Sequence, residues 1–300
     1  MIFRSVNLAR RAVLALAVCA SLVACGKDGS PPAAKDGSPP AADEPAAAQA
    51  VGLLDTTVAH TAYGIATIEA TGDLLKINLK GEGEGGVALA LRAGVTTDTV
   101  ISFTHDAAAP LSLRLAKPDG TLEYGSTEMR SHVVLGPGGS AEALLFTGAS
   151  GPLNVAIASA QPCGGAVVCL PDGTVEIRID GAAPLIASAF GPSALSSPEA
   201  RSVSAMRGTP SGEYGFSLTP ETEREAAYLL EFSVGATEPI NVLVKNGDKN
   251  DYISSEQGWV RVEPGSSVTA YTPGPGTFTF SNIRATDCTP EDTRCSAPAP

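Results

Sequence analysis

Three groups of residues in this 300-residue chain have types and spacing that suggest chemistry. Gly81-Glu82-Gly83-Glu84-Gly85-Gly86 satisfies the GxGxxG pattern of a phosphate-cradling turn. Its two carboxylates would repel phosphate, however, and the alternation of Val87-Ala88-Leu89-Ala90-Leu91 behind it predicts a strand, where phosphate binding needs a helix N-terminus. It reads as a hairpin loop. The only histidines are His60, His105 and His132, and none sits in an HExxH helix or beside a GxSxG elbow. The third group, Asn246-Gly247-Asp248-Lys249-Asn250-Asp251, offers the oxygens of Asp248, Asn250 and Asp251 as a weak calcium turn. EF-hand spacing is absent, so a plain turn is the competing reading.

Six cysteines are present, four of them late in the chain. Cys163 and Cys169 lie six positions apart, and Cys288 and Cys295 seven, so each pair can close a small loop by a disulfide. The rival reading is a metal site, but thiolate ligands usually come in CxxC spacing, and no histidine lies close to these in sequence. Tyr252, Trp259 and Tyr271 lie near one another in sequence and are the candidate platform for a sugar ring. Placement of Trp259 in a core is the alternative.

The elements that position these residues are read from period. Leu111, Leu113 and Leu115 alternate with Ser112 and Arg114, and Leu153, Val155 and Ile157 repeat the pattern, which predicts strands. No comparably long stretch has clean helical spacing. Glycine (32) and proline (23) punctuate the strands at intervals expected of an antiparallel sandwich.

The chain also repeats itself. Phe103-Thr104-His105 and Pro110 to Leu115 match Phe232-Ser233-Val234 and Pro239 to Val244 at constant offset. Pro137-Gly138 answers Pro264-Gly265, Leu153-Asn154-Val155 answers Phe278-Thr279-Phe280, and each copy ends in its cysteine pair. Upstream, Lys76 to Gly81 parallels Glu176 to Gly181, which implies an insertion of roughly Ser188 to Ser211 in the second copy. An internal duplication of about 120 residues follows. The expected fold is all-β: two tandem antiparallel β-sandwiches, jelly-roll or immunoglobulin-like, over 51–170 and 171–300, joined near Leu170 to Thr174. The strand and turn order of each copy resembles the non-catalytic β-sandwich accessory modules of secreted bacterial proteins.

Ahead of the sandwiches, Arg4, Arg10 and Arg11 precede the apolar run Ala12 to Val23, a secretory leader too short to span a bilayer. Leu22-Val23-Ala24-Cys25 resembles the lipobox of bacterial lipoproteins. That resemblance implies cleavage after residue 24, acylation of Cys25 (palmitate among the chains) and, with Gly26 rather than Asp following, an outer-membrane address. Residues 25–50 hold an exact repeat, Lys27 to Ala34 and Lys35 to Ala42, whose Pro, Gly, Ser and Ala composition predicts a semi-flexible spacer.

Loss of the leader leaves 17 of the 20 basic side chains against 32 acidic ones, a balance of −15. Nucleic acid is excluded as a partner on that charge. The expectation is a non-enzymatic envelope lipoprotein, periplasmic or surface-exposed, without a cofactor. Anchored in the membrane through its N-terminal lipid, it would bind a protein partner, a basic one being the natural electrostatic match. Glycan binding is the alternative, and hydrolysis the third reading.

Overall fold

The computed structural model describes residues 52–208, 212–246, 249–274 and 276–296. Cys25, the leader and the spacer repeat lie outside the described residues. The described residues belong to one compact unit.

Two five-stranded antiparallel sheets make the first sandwich. One contains β1 (Val58–Gly64), β4 (Gly85–Leu91), β9 (Glu142–Thr147), β6 (Ser112–Ala116) and β7 (Leu122–Ser126), in that spatial order. The other contains β2 (Ala66–Thr71), β3 (Leu74–Leu79), β10 (Gly151–Pro162), β5 (Thr99–His105) and β8 (His132–Leu135). Strands β3 to β10 are therefore the eight strands of a jelly roll, four to a sheet, and β1 and β2 extend one edge of each sheet.

The second sandwich repeats this strand for strand. Its larger sheet has β13 (Leu185–Phe190), β16 (Tyr214–Pro220), β21 (Ser267–Thr272), β18 (Asn241–Asn246) and β19 (Lys249–Ser254) in order. The facing sheet has β14 (Ser193–Ser196), β15 (Val203–Arg207), β22 (Thr277–Asp287), β17 (Tyr228–Gly235) and β20 (Trp259–Val262). Each strand corresponds to the one twelve numbers earlier. Two extra strands, β11 (Val167–Cys169) and β12 (Val175–Ile179), form a hairpin added to β13, which makes the larger sheet seven-stranded.

This hairpin corrects the upstream alignment. Glu176 to Gly181 lies on and after β12, which has no counterpart in the first sandwich, whereas the counterpart of β3 is β15. Ser188 to Ser211 is thus no insertion, since it contains the equivalents of β2 and β3. The extra residues are β11 and β12. Leu170 to Thr174 is the turn of their hairpin, closed by the Leu170 and Gly173 amides, and the chain leaves the first sandwich earlier, after Pro162.

Period-two burial explains both cores. Leu75, Ile77 and Leu79 point inward from β3 while Lys76 and Asn78 point out, and Val175, Ile177 and Ile179 do the same from β12. The cores share a plan but differ in filling. Leu, Ile and Val surround one phenylalanine, Phe103, in the first. In the second, Phe280 packs on Phe216, Phe232 and Phe278, with ring centroids 5.2, 4.5 and 6.1 Å away. Gly64 and Gly191 end β1 and β13 in the same left-handed conformation (φ 60° and 62°). A Cβ on either would strike a carbonyl, Glu84 O at 2.0 Å or Glu213 O at 2.2 Å, so only glycine turns both corners.

Candidate functional site

The sheet that contains β1 and its counterpart that contains β13 carry the same aromatic arrangement on their outer faces. In the first sandwich Tyr63, Gly86 and Phe146 lie side by side on β1, β4 and β9. In the second, Phe190, Gly215 and Tyr271 occupy the same places on β13, β16 and β21. Any Cβ on either central glycine would lie 1.9 Å from a neighbouring carbonyl, so the flanking rings close over the gap, 6.0 Å apart in the first copy and 5.5 Å in the second.

Two strands further on, Tyr124 pairs with Arg114 and Tyr252 with Leu243, again at matching positions. Both tyrosines are open to solvent, 71% and 65% exposed. Among the described residues the large apolar side chains with comparable exposure are Leu122 and Met129, on β7 and in the turn after it. The four therefore gather along equivalent edges, β7 and β19, whose outer backbone groups have no sheet partner.

Electrostatics distinguish the two faces. Arg114 places its guanidinium 5.7 Å from the Tyr63 ring centre in the first sandwich. In the second, burial, then the neighbouring Tyr252 phenol and Glu213, push the Tyr271 phenol above its usual range.

Tyr252 and Tyr271 thus share one face, but Trp259 does not join them. It lies on β20 in the opposite sheet, opposite Glu231, with Arg294 5.9 Å from its ring centre. Sequence proximity failed here because β19 and β20 belong to different sheets. Nor is Trp259 a core indole: it is half-buried, and Phe216, Phe278 and Phe280 fill that role. Tyr124, Tyr63, Phe146 and Phe190 went unpredicted, although the repeat offset that aligns Phe103 with Phe232 carries Tyr124 almost onto Tyr252.

In the oxygen-rich turn, Asn250 and Asp251 do not converge. Asp248 lies outside the described residues, and Asn250 and Asp251 are consecutive on β19, so their side chains leave opposite faces of the strand. Asp251 accepts a hydrogen bond from Asn246 across the hairpin. The glycine-rich loop connects β3 to β4, which lie in different sheets, so it is a crossover between sheets and not a hairpin loop.

Each histidine has a structural environment. His105 closes the end of the first core, its Nε2 2.9 Å from the Thr127 hydroxyl, and burial holds its pKa below the usual value against the opposing pull of Asp106. His132 lies between the sandwiches, where its Nδ1 donates to the Ser193 carbonyl at 3.3 Å. Burial, reinforced by Arg130, lowers its pKa to about 4. His60 sits half-buried on β1.

The late cysteines form disulfides, Cys163 to Cys169 and Cys288 to Cys295, with Cα separations of 5.7 and 5.5 Å. Each tether begins the same way, the first cysteine's amide donating to the carbonyl of Asp98 or of its counterpart Ala227. No helix among the described residues is long and apolar enough to cross a membrane.

No family model and no curated protein matches the chain. Among solved structures, an oxalate decarboxylase of Bacillus subtilis is similar over 75% of this chain and 78% of its own, at 9% identity and a TM-score of 0.19. That of Lactobacillus farciminis covers 80% and 90%, at 8% identity and TM-score 0.20. AerE of Microcystis aeruginosa covers 75% and 98%, at 7% identity and TM-score 0.18. At such scores these likenesses carry no argument about the chain, whose architecture rests on its own strand order.

Proposed function

We propose that this chain is a non-enzymatic lipoprotein, held in the outer membrane by acyl chains on Cys25, that binds an envelope protein through the β7 and β19 edges. The observation that carries this reading is the retention of an exposed tyrosine at one position of both sandwiches, Tyr124 and Tyr252, beside Leu122 and Met129. Tyrosine and methionine are enriched at protein interfaces, and an open strand edge offers main-chain hydrogen bonds to an extended partner segment. The balance of −15 left after leader removal favours a basic partner and a fast, salt-sensitive encounter.

A second reading, glycan binding, draws on the tyrosines Tyr252 and Tyr271, on the two strands either side of β18, with Asn241 beside Tyr271 on β18. One experiment separates the two. Residues 49–300 are immobilised in oxidised form, and a detergent extract of the source envelope is passed over at low and then high salt. The protein reading expects a stoichiometric protein, eluted by salt and lost in a Tyr124→Ala/Tyr252→Ala variant with an unchanged thermal transition. Polysaccharide retained at high salt and lost in the same variant selects the glycan reading; retention unaffected by the double substitution rejects both edges as the site. The anchor has its own test: Cys25→Ser should abolish metabolic labelling with palmitate and release the protein from membranes.

A further inference from the structure

The two sandwiches dock by a tip and an end, and each sandwich possesses both. The tip that is used belongs to the second sandwich: the Gly191–Pro192 turn between β13 and β14, with Gly208 after β15. The end that receives it belongs to the first. There Ser131 Oγ donates to the Pro192 carbonyl at 2.9 Å, His132 Nδ1 to the Ser193 carbonyl at 3.3 Å and the His105 amide to the Gly208 carbonyl at 3.3 Å. Contact is close enough that a Cβ on Gly208 would lie 2.1 Å from Ser131 Cβ and 2.5 Å from the Phe103 carbonyl oxygen.

The duplication supplies a second receiving end and a second tip. In the second sandwich the Phe232 amide donates to the Gly258 carbonyl at 2.9 Å, as the Phe103 amide donates to the Ser131 carbonyl at 3.0 Å. Gly258 therefore stands where Ser131 stands, and Trp259, opposite Glu231, stands where His132 faces Ser102. This end is an open groove of about 830 Å³, lined by Phe232, Val234, Ile240 and Ile253 and edged by Glu238 and Glu256. The free tip is Gly64–Ile65 with Lys80, the register counterpart of Gly208.

Differences between the used and the free surfaces are reciprocal. Lys80 replaces Gly208 on the tip and so gains a side chain, while Gly258 replaces Ser131 on the end and loses one; the Phe232 carbonyl, counterpart of that of Phe103, keeps the Lys80 Cβ from sitting as deep as Gly208, so this tip seats further out with the lysine side chain in the groove. Glu238 replaces Ala109, counted back from the matching prolines Pro239 and Pro110, and brings a carboxylate to the groove that Lys80 would enter. Trp259 keeps a ring N–H donor in place of His132 Nδ1. The tip carboxylate of Glu84 is no obstacle, because its counterpart Glu213 belongs to the tip that is already docked.

We propose that a second copy of this chain seats its first-sandwich tip, Gly64–Ile65 and Lys80, in the end groove of the second sandwich. The same contact then repeats from copy to copy. Such an interface is heterologous, and it extends into a head-to-tail array unless the rotation closes a ring.

Sedimentation velocity of residues 49–300, from about 1 µM to about 1 mM, tests this; at the upper limit an interface with a Kd near 1 mM is substantially populated. The weight-average mass should climb past two copies with concentration. Lys80→Glu and Glu238→Lys, both at exposed positions, should each weaken association about tenfold, the loss of roughly one partly screened ion pair plus a repulsion. Combined in one chain, the two reversals should restore it, which separates a lost contact from a damaged fold. A wild-type mass that stays at one copy to the highest concentration, or is unmoved by either single reversal, overturns the proposal.

Discussion

The two sandwiches have one topology and nearly opposite surroundings. In the first, the outer face of β5 and β8 is buried: Val100 and Val134 pack into the neighbouring core, and His132 is sealed between the sandwiches. In the second, the corresponding face carries Glu231 and Trp259 and is met by the C-terminal disulfide loop, whose Arg294 reaches Glu231 at 2.7 Å. The same two strands thus present small apolar residues and a neutral histidine where they are covered by a domain, and charged and aromatic residues where they are not. What the duplication preserves is geometry: the glycine corners, the aromatic pair across a strand glycine and the cysteine tether. What it leaves free is the chemistry of surfaces.

The largest test of this contrast lies in the cores. Phe280→Ala removes a ring packed on three others and should cost about 3–5 kcal/mol, whereas Leu153→Ala, on the matching inward face of β10, should cost about 2–4 kcal/mol. Urea unfolding followed by tryptophan fluorescence measures both. Because Val100 and Val134 join the second core, each substitution should shift one shared transition, and two separated transitions would show the sandwiches to be independent.

His132 gives the next effect, and its sign is fixed. Folded, its pKa is about 4; unfolded, it returns to the ordinary value of 6.5. Between these values the unfolded chain binds the extra proton, so stability is fully present above pH 6.5 and falls as pH drops towards 4. At most roughly 3 kcal/mol is involved. His132→Gln should flatten the dependence of the thermal midpoint on pH between 6.5 and 4.

Much of this comparison was legible in the residues. The offset pairing of Phe103 with Phe232 and Leu153 with Phe278 marks true structural equivalents, because inward positions on long strands keep their spacing. The alignment failed upstream, where Lys76 to Gly81 and Glu176 to Gly181 look alike since any exposed strand alternates polar and apolar residues; only pairing shows that β12 is an addition. The candidate platform failed in part for a related reason. Tyr252 and Trp259 are seven residues apart but sit on different sheets, and sequence distance does not record a crossover. Tyr124 was within reach of the offset, yet an exposed tyrosine gives no periodic signal by itself.

The disulfides refine the contrast at a smaller scale. Closing loops of this length should contribute about 2 kcal/mol each. Opening Cys163 to Cys169 should also loosen the junction, since both cysteines pack against the second core. Cys163→Ser/Cys169→Ser should therefore raise amide exchange at His132 and Ser193, whereas Cys288→Ser/Cys295→Ser should raise it at Trp259 and leave the junction protected.

The smallest effect concerns one missing side chain. On β19, Ile253 points inward opposite Val242 and is buried; at the same place on β7, Gly125 stands opposite Leu113. A Cβ on Gly125 would meet nothing closer than Leu113 Cδ2 at 4.0 Å, and its backbone conformation is open to any residue. The space left is a recess of about 290 Å³ edged by Glu123, Arg130 and Asp172, with Leu113 and Leu115 as its floor. Gly125→Val should restore what the second sandwich has, gaining about 1 kcal/mol from strand propensity and partial filling of the recess. Should the thermal midpoint fall instead, the two edges differ in more than that side chain, and the recess is a shape the first sandwich maintains at a cost in stability.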